Sequence, residues 1–157
     1  MGKKVKKEGF LKAFFSFIGI SIAIGGITSY FVFNERLIGF VFLTLGAINL
    51  LFLKLFKIEL KAVYPDIIFG MIDNGVLVFA AVLGGHFAGV FGAIIGGAAG
   101  NTITDGIGGL FEGYIAEHQR EVKIDNLRTA MSTMLGKMTG CLLGAGIGLI
   151  IIFLIGI

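Results

Sequence analysis

Cysteine, proline, tryptophan and charge are all scarce in this chain of 157 residues. A single cysteine, Cys141, excludes an intrachain disulfide and with it a disulfide scaffold. A single proline and the lack of a Gly-X-Y period exclude a collagen-like rod, despite 26 glycines. Charged residues make up 15% of the chain and hydrophobic ones 56%, with a mean hydropathy of +0.96. A soluble domain carries about 25% charged and about 45–50% apolar residues. There is too little polar surface here to cover a water-soluble globule. The same hydrophobicity excludes disorder. No G-x-x-x-x-G-K-[ST] phosphate loop and no nucleophile–base–acid set stands out, so the chain does not read as an enzyme. A net charge of +3 lends nucleic-acid binding no support.

Five apolar runs are what the sequence does have. They predict an all-α, polytopic integral membrane protein, a single membrane domain over residues 1–157. Its helices are expected at about 13–33, 37–53, 66–84, 87–116 and 133–157. Runs of about 17–25 residues cross ~30 Å of hydrocarbon as helices, which satisfy their own backbone groups in lipid. A transmembrane β-barrel would alternate apolar and polar residues, and these runs are continuous. With five crossings, twelve of the thirteen Lys and Arg residues fall on one side and only Arg36 on the other. The positive-inside rule then places the N-terminus in the cytoplasm, in a plasma membrane of prokaryotic type. The Lys-rich start precedes an apolar run too long for a signal peptide, so it reads as part of a retained first helix. Lysines so placed also attract the anionic headgroups of membrane lipids. Residues 117–132, with Ile124, Leu127 and Met131 at helical spacing, read as a cytoplasmic interfacial segment.

The two halves of the chain differ in texture. Helices one and two hold no charged residue, whereas residues 65–157 hold 19 of the glycines and every acid expected inside the membrane. Asp66, Gly70 and Asp73 share one face of helix three, and Asp73 lies about 10 Å deeper than Asp66. Asp66 can sit at the interface. Asp73 is inside, where an aspartate costs ~2.5–3.5 kcal/mol and needs a partner. In helix four, every fourth residue from Gly85 gives Gly89, Ala93, Gly97, Asn101, Asp105, Gly109 and Gly113. Glu112 shares roughly that face. Helix five repeats the device with Ser132, Gly136, Gly140, Gly144 and Gly148. Rows of small residues predict close packing, within a protomer or across a homodimer.

Asp73, Asn74, Asn101, Asp105 and Glu112, with Asp66 at the mouth, form the candidate metal constellation. Carboxylates and amides without thiolate or imidazole beside them are hard oxygen donors. They suit Mg²⁺, Ca²⁺ or Mn²⁺ and tolerate Fe²⁺. Without a cation, at least one of these carboxyls should carry a proton. A site that alternates between proton and metal is the basis of an antiporter. The expectation is divalent-cation transport, with the ion as cargo and no permanently bound cofactor. The other reading is a non-transporting assembly protein whose aspartates pair helices. If helix three ends near Gly84, Asp105 sits roughly 10 Å from Asp73 along the axes. A tilt, a break at 100–102 or pairing across a dimer would close that gap. His86 and His118 fall at opposite membrane surfaces and read as surface residues, and Cys141 as packing.

Residues Asp66-Ile67-Ile68-Phe69-Gly70, then Asp73-Asn74-Gly75, lead into a glycine-rich helix bearing Thr104-Asp105-Gly106 and Glu112-Gly113-Tyr114. With the charged exit Glu117-His118-Gln119-Arg120-Glu121, this stretch of about residues 65–121 resembles the vacuolar iron transporter family. The resemblance implies five membrane helices, a dimer, and exchange of Fe²⁺ or Mn²⁺ for protons along acidic residues of two helices. It makes Asp73 the acid of the first pore helix and Asp105 that of the second. The matching helices stand third and fourth here but first and second in the family. Gly109 replaces a family methionine, and the family's long Glu-rich metal-collecting segment is missing.

Overall fold

The structure is a computed structural model that describes residues 2–31, 35–121 and 128–156, and the regular structure in them is all helical. Four helices follow one another: α1 (Gly2–Phe31), α2 (Glu35–Leu55), α3 (Leu60–Glu121) and α4 (Ala130–Ile155). Each contains a stretch long and apolar enough to cross a membrane, by length and composition. Large apolar side chains stand exposed on all of them, Phe15, Leu51, Val90, Leu110 and Leu154 among them. An apolar surface of that extent suits lipid.

α3 is two helices in one. Its 62 residues would run roughly 93 Å if straight, three times a bilayer's hydrocarbon. Instead it breaks at Ala88 (φ −136°, ψ 23°) and Gly89 (φ 59°, ψ −147°). The positive φ at Gly89 is open to a residue without Cβ at little cost. Beyond the break the chain returns along itself. Gly84 lies against Gly92, Ala80 against Gly96, Leu77 against Gly100 and Phe69 against Gly108. These pairs define an antiparallel hairpin with an N-terminal arm, 60–87, and a C-terminal arm, 90–121.

Element ends depart from the sequence expectation for local reasons. α1 begins at Gly2 and not near 13, because nothing in the Lys-rich start breaks a helix. α3 begins at Leu60 and not at 66, with Pro65 inside it. The turn ahead of the proline is held by burial: Ala62 and Val63 join Leu53 and Leu135 in the apolar core. Proline costs one backbone bond there, and the packed turn offsets it. α4 opens at Ala130 because Thr129 and Ser132 form a capping box, side chain to backbone in both directions. Of the segment 117–132, residues 117–121 continue the C-terminal arm and 130–132 open α4. Residues 122–127, with Ile124 and Leu127, lie outside the described residues.

α4 is the central helix, packed against α3, α2 and α1. Gly136, Gly140, Gly144 and Gly148 line its contact with the N-terminal arm. A Cβ at Gly136 would stand 3.0 Å from the Asp66 Cβ, and one at Gly148 would stand 3.3 Å from the Gly75 carbonyl oxygen. At Gly140 and Gly144 it would run into the Ile67 and Met71 carbonyls. α2 lies on another face, with Gly39 against Ile150 and Gly46 against Leu143.

Asn49 is an oddity in this packing. It falls on the same face of α2 as Gly46 and Leu53, is 2% exposed, and neither its Nδ2 nor its Oδ1 has a hydrogen-bond partner. A buried amide left unpaired costs about 1–3 kcal/mol, while an apolar group of the same shape costs nothing comparable. The expected outcome is that Asn49→Leu stabilises the fold by about 1–3 kcal/mol. Denaturation in SDS, followed by loss of helical circular dichroism, checks it; a destabilised variant would mean that Asn49 is served by a group such as a buried water.

Candidate acidic site on the arms of the third helix

The antiparallel register decides which side chains meet. Asp73 and Thr104 are equidistant from the bend. Thr104, 1% exposed, donates its hydroxyl hydrogen to Asp73 Oδ1. The Gly100 carbonyl, 3.0 Å from the same hydroxyl, is an alternative acceptor. The residue facing Asp73 is thus Thr104, and Asp105 is its neighbour, about 100° further round the helix. Asp105 is exposed on this chain and accepts from Asn101 Nδ2 at 2.9 Å.

The expected depth gap disappears. It arose from ending helix three near Gly84, whereas the arm runs on to the break at Ala88. Counted from the break, Asp73 and Asp105 differ by one residue, about 1.5 Å of axial rise. No break at 100–102 is needed, since the C-terminal arm is helical through it.

The same register corrects the row of small residues read from the sequence. The residues that pack on the N-terminal arm are Gly92, Gly96, Gly100, Thr104 and Gly108, one position before the row through Gly97, Asn101 and Asp105. A Cβ at Gly109 or Gly113 would meet nothing within 4 Å. Near the bend that row still touches the N-terminal arm, Ala93 against Gly85 and Gly97 against Ala81, but from Asp105 through Gly109 and Gly113 it stands exposed beside the packed row.

α4 closes the other flank of the N-terminal arm. Asn74 donates from Nδ2 to the Cys141 carbonyl at 3.3 Å. The Cys141 thiol lies within electrostatic reach of both Asp73 and Lys137. Lys137 sits in the second turn of α4. Its Nζ is 5.2 Å from the centre of the Phe69 ring, a cation–π contact.

Asp66 is occupied elsewhere. It is 1% exposed, and Arg128 Nη2 donates to both its oxygens, at 2.8 and 3.0 Å. Glu112 lies on the C-terminal arm, but its side chain falls outside the described ones. Among the described residues, no three His, Cys, Asp or Glu side chains come together as a metal group. The six expected ligands do not form one cluster within a chain. They divide into Asp73 with Thr104, Asp105 with Asn101, Asn74 on Cys141, and Asp66 on Arg128.

Thr104 and Arg128, which bond Asp73 and Asp66, and Lys137, which lies over the Phe69 ring, were absent from the expected set. A signal for Thr104 was available, because counting back from the Gly-rich bend pairs it with Asp73. No sequence signal joins Arg128 to Asp66, 62 positions away.

Chemically, the Thr104 hydroxyl suits both states of Asp73. It donates to the ionised carboxylate. When the carboxyl carries its own proton, that proton can point at Thr104 while the hydroxyl turns to the Gly100 carbonyl. Comparison with protein-family models, with curated proteins and with solved structures finds no match to this chain.

Proposed function

We propose that this chain crosses its membrane five times and moves a divalent cation through the acidic site on the arms of α3, working as a homodimer. The observation that carries the proposal is the level placement of Asp73 and Asp105 on adjacent arms, within an apolar stretch. Proton and cation compete for the same carboxylate oxygens. The backbone carbonyls of Gly100 and Asn101, in reach of the Thr104 hydroxyl beside Asp73, let that exchange proceed without stranding a hydroxyl. Carboxylate and amide oxygens suit Mg²⁺, Mn²⁺, Fe²⁺ or Ca²⁺ as cargo. The likeness of residues 65–121 to vacuolar iron transporters favours Fe²⁺ and Mn²⁺.

Five crossings follow if each arm of α3 spans once, together with α1, α2 and α4. Positive-inside then puts the N-terminus in the cytoplasm, beneath a plasma membrane of prokaryotic type. A carboxylate facing acyl chains costs ~2.5–3.5 kcal/mol, so the row exposed from Asp105 onward calls for a protein neighbour. Gly109 and Gly113 on that row admit a close helix, and a second copy offers the same row in a two-fold contact.

A second reading has specific support: the Asp66–Arg128 and Asp73–Thr104 pairs are bonds that join helices, as an assembly protein without transport would use them. Flux into liposomes separates the two. The purified chain is expected to pass at least one of the four ions above the empty-vesicle leak. Asp73→Asn/Asp105→Asn is expected to lower that flux by an order of magnitude or more while keeping helicity. Equal flux for wild type and variant, for every ion, ends the transport reading. A double variant that loses its helices supports the pairing reading.

A further inference from the structure

Two membrane-length apolar stretches meet at the corner between α2 and α3: that of α2 ends at Leu55 and that of α3 begins at Leu60. In a bilayer the corner therefore stands in one headgroup layer. A cavity of ≈ 320 Å³ lies beside it. Leu50, Leu51, Ile58 and Leu60 give it apolar walls, and Lys54, in the last turn of α2, completes the lining. The backbone fixes this corner. The Ile58 N–H donates to the Leu53 carbonyl at 2.9 Å and the Lys57 N–H to the Lys54 carbonyl at 3.0 Å, the paired bonds of a Schellman cap. Ile58 completes the motif by packing on the core cluster that holds Leu53. The left-handed position of such a cap is usually glycine, and here it is Lys57, at φ 54°. A side chain there carries a steric cost that glycine would not. Capping alone does not account for the lysine, and a position held against that cost points to a use for its charge.

The charges of the corner do not cancel. Lys54, Lys57 and Lys61 stand against one acid, Glu59, and all four are exposed. Glu59 is taken by Lys61, at 3.1 Å. Among the described residues, Lys54 and Lys57 have no acid within ion-pair distance. The carbonyl end of α2 is offset by the amide end of α3, so the two lysines are left in excess. Two such cations at headgroup depth, beside an apolar cavity, match an anionic amphiphile better than a free anion.

We propose that the α2–α3 corner binds an anionic phospholipid, its phosphate held by Lys54 and Lys57 and its upper acyl chain lying against Leu50, Leu51 and Leu60. The site is independent of the transport reading. The full chain, purified in a neutral detergent, is titrated with phosphatidylglycerol and separately with phosphatidylcholine of the same acyl chains. Phosphatidylglycerol is expected to bind the more tightly. Lys54→Gln is expected to weaken it about fivefold, what one lysine contributes near an anionic surface. Lys57→Gly is expected to weaken it to a similar degree, yet to resist unfolding in SDS at least as well as wild type, because glycine takes the left-handed φ freely. A lysine that only capped α2 would give the second result without the first. Lys12→Gln, exposed on α1 and outside this cavity, is expected to leave binding unchanged. Equal binding of the two lipids overturns the proposal, as does wild-type binding by Lys54→Gln or Lys57→Gly. An equal loss in Lys12→Gln also overturns it, in favour of diffuse attraction to the surface. So does displacement of the lipid by inorganic phosphate at matching concentration, in favour of a free-anion site.

Discussion

Arg128→Ala is expected to lower the free energy of unfolding by about 3–5 kcal/mol, the usual cost of removing one partner from a buried ion pair. Asp66 is 1% exposed and receives two hydrogen bonds from a single guanidinium nitrogen. Arg128→Ala takes this ion pair from a carboxylate that stays buried beside Val63 and Gly136. Asp66→Asn/Arg128→Met therefore recovers most of the stability, because it removes both charges together. Unfolding in SDS, followed by circular dichroism, reads both variants. If the double variant is as unstable as Arg128→Ala, Arg128 acts through packing and not through Asp66.

The second large effect belongs to α4. Gly140→Ala and Gly144→Ala each place a methyl group where a carbonyl of the N-terminal arm already stands, that of Ile67 or Met71. Backbone cannot turn aside as a side chain can, so the two helices must part. Overpacking of this kind costs about 1–3 kcal/mol per site, and neighbouring sites on one contact do not add simply. The pair is expected to cost more than about 3 kcal/mol, together with the Asn74–Cys141 hydrogen bond that spans the same contact. Gly25→Ala, on open surface of α1, is the control, expected to be neutral or to gain up to about 1 kcal/mol from helix propensity. Equal stability of Gly140→Ala/Gly144→Ala and wild type would show that α4 does not lie this close to the arm.

Particular residues show what the sequence could and could not convey. Long apolar runs survive any arrangement of neighbours, so the helical content and the positions of the long apolar helices were legible. Local chemistry sets the ends, and it was read less well: the Pro65 signal yielded to burial of Ala62 and Val63, a tertiary effect. On the C-terminal arm, fourfold spacing identified a face but not its direction. Two adjacent rows of small residues satisfy the same rule, and only the bend at Gly89 selects Gly92, Gly96, Gly100 and Gly108 for packing. That choice moves Asp105 from facing Asp73 to standing beside Thr104. Asp66 carried a local signal for depth and none for its partner, because Arg128 reaches it from across the fold.

The sharpness of the turn at Ala88–Gly89 has a mechanical consequence. A long loop would let the arms slide past one another, but two non-helical residues leave no slack for a change of register. The arms can separate only as tongs do, pivoting at the glycine and spreading most at their free tips. Any passage opened beside Asp73 would then widen toward the lysine-bearing end of the molecule and stay shut at the hinge.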